Sequence, residues 1–194
     1  MKFDELNRLR RFFSTMEITE GEKEKRVSLG KLLYDAFFYV FLMMRTEYKV
    51  KGEIDKEYYK QSLDNRIRDV LKDLPYDEAY IPKLTDDVIE TTVRHLDDEY
   101  YFSKERALLM AQNESNTVYN SFDYQTAQKS GKKYKRWQTE KDSRVRLAHE
   151  EVDDMKIPID EYFHVGNDNM LFPHDYLNGS AENLVNCRCT CIYE

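Results

Sequence analysis

From Lys83 to Ser130 the chain contains neither glycine nor proline. Nothing in that stretch interrupts the hydrogen-bond ladder of an α-helix. With only 6 Gly and 4 Pro in 194 residues, the chain is poor in turn formers, and long helices are favoured over a many-turned β sandwich. A hydrophobic content of 41% can bury a core in one large domain or two small ones, which excludes a disordered tail or a disulfide-stapled miniprotein.

The apolar spacing predicts where the helices run. Phe3, Leu6, Leu9, Phe12 and Phe13 mark one before Gly21, followed by a charged link, EGEKEKR. Val27 to about Val50 reads as the most buried helix, because Leu29, Leu32, Leu33, Ala36, Phe37, Val40, Phe41 and Met44 recur at three and four. Its longest apolar run, Ala36 to Met44, is fenced by Asp35 and Arg45 and is too short to cross a bilayer, so no membrane partner is expected. Leu63, Ile67, Val70, Leu71 and Leu74 signal a helix halted at Pro75. Thr85 reads as the cap of another that carries Val88, Ile89, Val93 and Leu96. Ser103 is a good N-cap for a helix from Lys104 to about Gln128. Beyond Gly131 short β-branched groups, prolines, glycines and polar turns suit small strands and loops. The expected fold class is α+β: a mainly helical portion over 1–102, suited to protein–protein contacts, followed by a small mixed α+β domain over 103–194.

Thirty Lys plus Arg against 37 Asp plus Glu leave a formal charge of -7, which excludes coating nucleic acid through bulk positive charge. The charge is nevertheless polarised. Lys129, Lys132, Lys133, Lys135, Arg136, Lys141, Arg144 and Arg146 face only Glu140 and Asp142 between 129 and 146. Such a cationic segment beside Tyr134 or Trp137 can hold a phosphate backbone; otherwise it is a solvated turn or pairs with an acidic protein. Trp137 itself reads more naturally as core than as a base reader. In an extended backbone Arg144 and Arg146 share a face. They suit either a phosphate or an internal fork with Asp142, Asp160, Glu161 or the C-terminal segment, the second being favoured because Arg locks loops through bidentate pairs.

The N-terminal MKFDELNRLRRFF has no cleavable hydrophobic core, so a signal peptide is not expected and a reducing compartment is. Cys187, Cys189 and Cys191 lie too close in sequence to pair readily with one another. With His149, His164 and His174 they offer zinc donors, but CxCxC spacing is poor for zinc knuckles. In a strand the three thiols would share one face, so three buried thiols and no metal or other cofactor are expected.

The second half resembles the phage Mu F-like head morphogenesis, or minor head, proteins. The resemblance rests on an ordered set. Ser103-Lys-Glu-Arg106-Ala107 and Ala111-Gln-Asn-Glu114 come first, then Lys135-Arg136-Trp137-Gln-Thr139 and Asp142-Ser-Arg144-Val145-Arg146-Leu-Ala-His149. Ile159-Asp160-Glu161-Tyr162-Phe163, Pro173 and the closing Asn186-Cys187-Arg188-Cys189 complete it. The resemblance implies a non-enzymatic minor head protein of a tailed phage. Such a protein is a virion-interior component assembled in the host cytoplasm, with the portal protein, other capsid components and non-specific double-stranded DNA as partners. Members usually place a Gly shortly after the His segment, where this chain has Val152-Asp153-Asp154. Others carry a CxxC at the positions of Arg146 and His149, with a His near the closing Cys; that zinc set is incomplete here. The residues expected to contact DNA are Lys129, Lys132, Lys133, Lys135, Arg136 and Lys141. Those expected to hold the motif together are Trp137, Asp142, Arg144, Arg146, His149, Asn186, Cys187, Arg188 and Cys189, and none is expected to be catalytic.

Two other readings stand beside this one. His149, next to Glu150 and Glu151 and near two arginines, has the residue types of a metal-independent nuclease. An interaction module with no role at DNA is the third. No P-loop, GxSxG, HExxH or GxGxxG occurs.

Overall fold

The computed structural model describes residues 1–194. Five helices make up most of it: α1 (Phe3–Ser14), α2 (Glu20–Lys51), α3 (Lys56–Leu71), α4 (Tyr80–Val93) and α5 (Lys104–Lys129). After them come β1 (Tyr134–Gln138), the one-turn helix α6 (Leu147–Glu150), β2 (Lys156–Pro158), β3 (Phe163–Val165), β4 (Asp168–Met170), the one-turn α7 (Ala181–Leu184) and β5 (Thr190–Tyr193). The fold is α+β. β1 is the centre of an antiparallel sheet of order β2-β1-β5, and β3 and β4 form a separate hairpin.

Two helix starts differ from the sequence expectation. The charged EGEKEKR stretch is the first two turns of α2, because Thr19 closes a capping box: its hydroxyl accepts from Glu22 N–H while the Glu22 carboxylate accepts from Thr19 N–H at 2.8 Å. Thr85 is no cap. α4 begins five residues earlier, with Pro82 tolerated in its first turn, and Thr85 is buried inside it with its hydroxyl donating to the Pro82 carbonyl.

α2 is long and apolar enough to span a bilayer by length and composition, yet more than half of its most apolar window is buried inside the protein. Its Leu33, Phe37, Val40, Phe41 and Met44 form the centre of a helical core with Leu9 and Phe13 of α1, Leu63 and Ile67 of α3, Ile81 and Ile89 of α4 and Ala107 and Ala111 of α5. Gly30 lets α1 come close: a Cβ there would sit 3.3 Å from both Leu9 methyls. A second, smaller core gathers Trp137, Val152, Phe163, Val165, Met170, Leu184, Cys187 and Cys189.

Helix α5 joins the two cores. Its apolar positions face α2, while Asn113, Asn116, Thr117 and Asn120 recur at helical spacing and are all buried. Asn113 Oδ1 accepts from Asn186 N–H at 2.8 Å and Asn116 Nδ2 donates to the Cys187 carbonyl at 3.2 Å. Asn120 Nδ2 donates to the carbonyls of Pro173 and Cys189, at 3.0 and 3.2 Å. The acceptor ends of Asn116 and Asn120 take Arg26 of α2, which is buried and donates to them at 3.0 and 3.2 Å. One guanidinium and two amides therefore link α2, α5 and the C-terminal segment.

Asn120→Ala strands two carbonyls and part of the Arg26 fork in a dry interior. It is expected to cost about 2–4 kcal/mol of unfolding free energy, measured by urea denaturation, whereas the neighbouring surface change Gln125→Ala should stay within about 0.5 kcal/mol.

Candidate functional site

Strand alternation decides what becomes of the basic segment. In β1, Lys135 and Trp137 point inward and Tyr134 and Arg136 outward. Lys135 is fully buried; its ammonium donates to the Ile159 carbonyl at 2.8 Å and lies 5.1 and 5.4 Å from the ring centroids of Tyr124 and Phe163. Burial brings its pKa down to about 8. Arg136 is half-exposed and pairs with Glu194 at 2.7 Å, and Lys141 pairs with Asp154 at 3.1 Å. Lys135 is thus removed from the surface expected for it, and two more cations are spoken for.

Lys129, Lys132 and Lys133 remain exposed and without an ion pair. They cluster because α5 ends there. Gly131 takes φ 75°, and Lys132 N–H donates back to the Ala127 carbonyl, so the chain reverses sharply after Lys129. A helix C-terminus is where the dipole favours cations.

The arginines of the motif are internal fasteners. Asp142 accepts both Nη atoms of the nearly buried Arg188, at 2.9 and 2.6 Å, and also the Arg144 guanidinium at 3.0 Å. The fork from Arg188 holds the Asp142 carboxyl well below its ordinary range. Arg146 donates to the Val185 carbonyl. Residues 142–146 form a turn rather than the extended strand expected, and Arg144 and Arg146 border one narrow cleft. Asn186 takes φ 59°, which Asn tolerates, and Asp154 takes φ 58° in the segment where the resembling proteins carry Gly.

His149, Cys187 and Cys189 converge in the small core. His149 Nδ1 lies 3.4 Å from Cys189 Sγ and 3.6 Å from Cys187 Sγ, and all three donor atoms fall within 4.8 Å of one another. Nε2 is 3.3 Å from Asn183 Oδ1, which assigns it the proton and leaves Nδ1 to the sulfurs. Trp137 packs edge-on against the imidazole with centroids 5.7 Å apart. Burial alone would raise the Cys187 thiol, but hydrogen bonds with Cys189 and the nearby His174 and His149 outweigh it and bring it well down; Cys189 is pushed up. Cys191 packs half-buried against the same small core but does not join the triad, and the three thiols do not share one strand face as expected. β5 begins only at Thr190, so Cys187 and Cys189 sit in the turn before it while Cys191 pairs across to Trp137 within the sheet. CxCxC spacing did not reveal that His149 would join the first two.

Two thiols and an imidazole are soft donors suited to zinc, and their spacing is close to the roughly 3.5 Å between ligands of a tetrahedral ion. Structural zinc takes four ligands. No fourth donor joins these three, and the narrow cleft over them is bordered by Arg144, Arg146 and Arg188 beside one carboxylate, Glu140. The residues present do not complete the four-ligand set of a structural zinc. His149 is also 1% exposed and held by sulfur and amide.

Glu114 on α5, a motif residue with no role expected from the sequence, is a further perturbed group. It is buried, accepts from Tyr80 OH at 2.7 Å, and is pushed up to about 7 by burial. Nearby His174 is wedged between Thr117 Oγ1, 3.4 Å from Nδ1, and the Cys187 carbonyl, 2.7 Å from Nε2.

A family model described as Phage Mu protein F like protein matches residues 84–192. No curated protein and no solved structure matches the chain.

Two outcomes are expected of the buried groups. A chelator should leave the melting temperature unchanged and metal analysis should find well under one zinc per chain, whereas His149→Ala should cost about 2–4 kcal/mol in urea unfolding. Glu114 is protonated in the folded state up to about pH 7 and ionises near 4.5 when unfolded. Its stabilising contribution is therefore complete below pH 4.5 and lost as pH rises through 7, by at most about 3 kcal/mol. Denaturation of wild type and Glu114→Gln across pH 4.5–7.5 should show the decline flattened in the variant.

Proposed function

The chain belongs to the phage Mu protein F like family and is thereby a phage head morphogenesis protein; from that premise we propose that it sits at the portal vertex inside the virion and touches packaged duplex DNA through Lys129, Lys132 and Lys133. In this reading it assembles in the host cytoplasm as a non-enzymatic minor head protein. The portal protein and other capsid components are its protein partners.

The observation that carries the DNA contact is the trio of unpaired lysines displayed where α5 reverses, in a chain whose net charge is -7. Ammonium groups without internal partners release counterions when they meet phosphate, which gives affinity without sequence preference. Half-exposed Arg136 and exposed Lys141 are secondary contacts, since each would first give up a carboxylate. Lys135 supports the strand from inside and touches no DNA. The non-enzymatic assignment is supported by the burial of His149, the one candidate base in the basic region.

Duplex DNA is expected to bind without sequence preference and to weaken steeply with salt. Lys129, Lys132 and Lys133 changed together to Glu should abolish binding while the melting temperature holds, and their loss should reduce the slope of log K against log salt by about 3. Unaltered binding by the triple variant in fluorescence anisotropy would place the contact elsewhere. Turnover of labelled RNA or DNA by wild type that disappears in His149→Ala would reject the non-enzymatic role.

A further inference from the structure

Between the start of α4, the C-terminal half of α5 and the segment 171–178 lies a cleft of about 510 Å³. Five aromatic rings line it: Tyr76, Tyr80, Tyr124, Phe172 and Tyr176. They are set in pairs, Tyr124 with Phe172 at 4.9 Å between centroids and Tyr80 edge-on to Tyr176 at 5.4 Å. The lining carries three carboxylates and one imidazole, that of buried His174. Asp77 and Glu78 stand exposed at the rim, and Asp175 is buried on the floor, fixed by the Leu171 N–H at 2.8 Å and Asn178 Nδ2 at 2.9 Å. No Lys or Arg lines the cleft; the nearest partner of Glu78 is Arg68, 3.7 Å away at its outer side chain.

Aromatic faces beside carboxylates attract a positive charge by two routes, the ring quadrupole and direct Coulomb attraction. The rings already act in this way within the protein: Lys83 Nζ lies 4.4 Å from the Tyr176 centroid and Lys135 Nζ 5.1 Å from that of Tyr124. The volume lies in the range of ligand sites and exceeds what one side chain fills. Gln125 and Gln128 at the mouth use their amide N–H groups within α5, on Ser121 and Tyr124, and keep carbonyl oxygens for a main chain. We propose that this acidic, aromatic cleft is a docking site for an arginine-bearing extended segment of a partner protein, the guanidinium entering between the rings toward Asp175. Arginine is favoured over lysine because its planar head stacks on aromatic faces and forks to a carboxylate. This surface is separate from the lysines at the end of α5, so its fate and theirs are tested independently.

The probe is a fluorescein-labelled pentapeptide, Gly-Arg-Ala-Arg-Gly, capped at both ends, with a Gln-for-Arg twin as reference, titrated into the full chain by fluorescence anisotropy. The arginine peptide should bind measurably and the glutamine twin should not. The double change Glu78→Lys and Gln125→Arg places two cations at the mouth without touching a buried group and should weaken the arginine peptide at least tenfold, with the melting temperature unchanged. The inference is overturned if wild type binds the two peptides alike, or if the double variant, folded as judged by its melting curve, binds the arginine peptide as wild type does.

Discussion

The C-terminal segment folds because α5 supplies it with hydrogen bonds it cannot make for itself. Residues 187–189 and 173 run through the interior outside any strand, so their peptide groups would be buried without partners, at a cost comparable to a lost hydrogen bond each. The amides of Asn113, Asn116 and Asn120 meet that need, and Arg26 anchors the last two from α2. Neither half is then self-sufficient at this seam. The matched family region begins at residue 84, inside α4, and so takes in the whole of α5. The 3-10 turn Glu99–Phe102 that precedes α5 is a corner in the chain, with α5 serving both cores.

The same architecture sorts the charges. Of the basic residues between 129 and 146, strand pleating buries one, acidic neighbours engage Arg136, Lys141 and the exposed Arg144, and the Val185 carbonyl takes up Arg146. What reaches solvent without a partner is the lysine trio at the turn after α5. Net charge along a sequence therefore overstates the cationic surface, since a guanidinium fixed to a carboxylate must give up or share that partner before it meets a phosphate.

His149 illustrates how residue type and residue role part company. Its ring is enclosed by Trp137, two sulfurs and Asn183, and the hydrogen bonds that hold it also keep Cys187 and Cys189 together. Chemistry that would read as a base at the surface is spent here on positioning the closing turn of the small core.

Much of this was legible in the residues. The breaker-free stretch from Lys83 to Ser130, the three-and-four spacing of α2, the Ser103 cap and the ordered motifs of the second half determined the helices, the α+β class and the family, because periodicity and capping are local properties. The resemblance also pointed to Asn186, Arg188 and Asp142 as motif residues, though not to their partners. What only the tertiary structure decided is which polar groups face inward. Lys135 counts as a surface cation until the pleat that buries Trp137 buries it as well. Asn113, Asn116 and Asn120 look like a polar helix face until the C-terminal carbonyls arrive from about 70 residues away. Cys187, Cys189 and His149 meet only when the turn before β5 closes. Each depends on contacts between distant segments, and a one-dimensional pattern carries no measure of that distance.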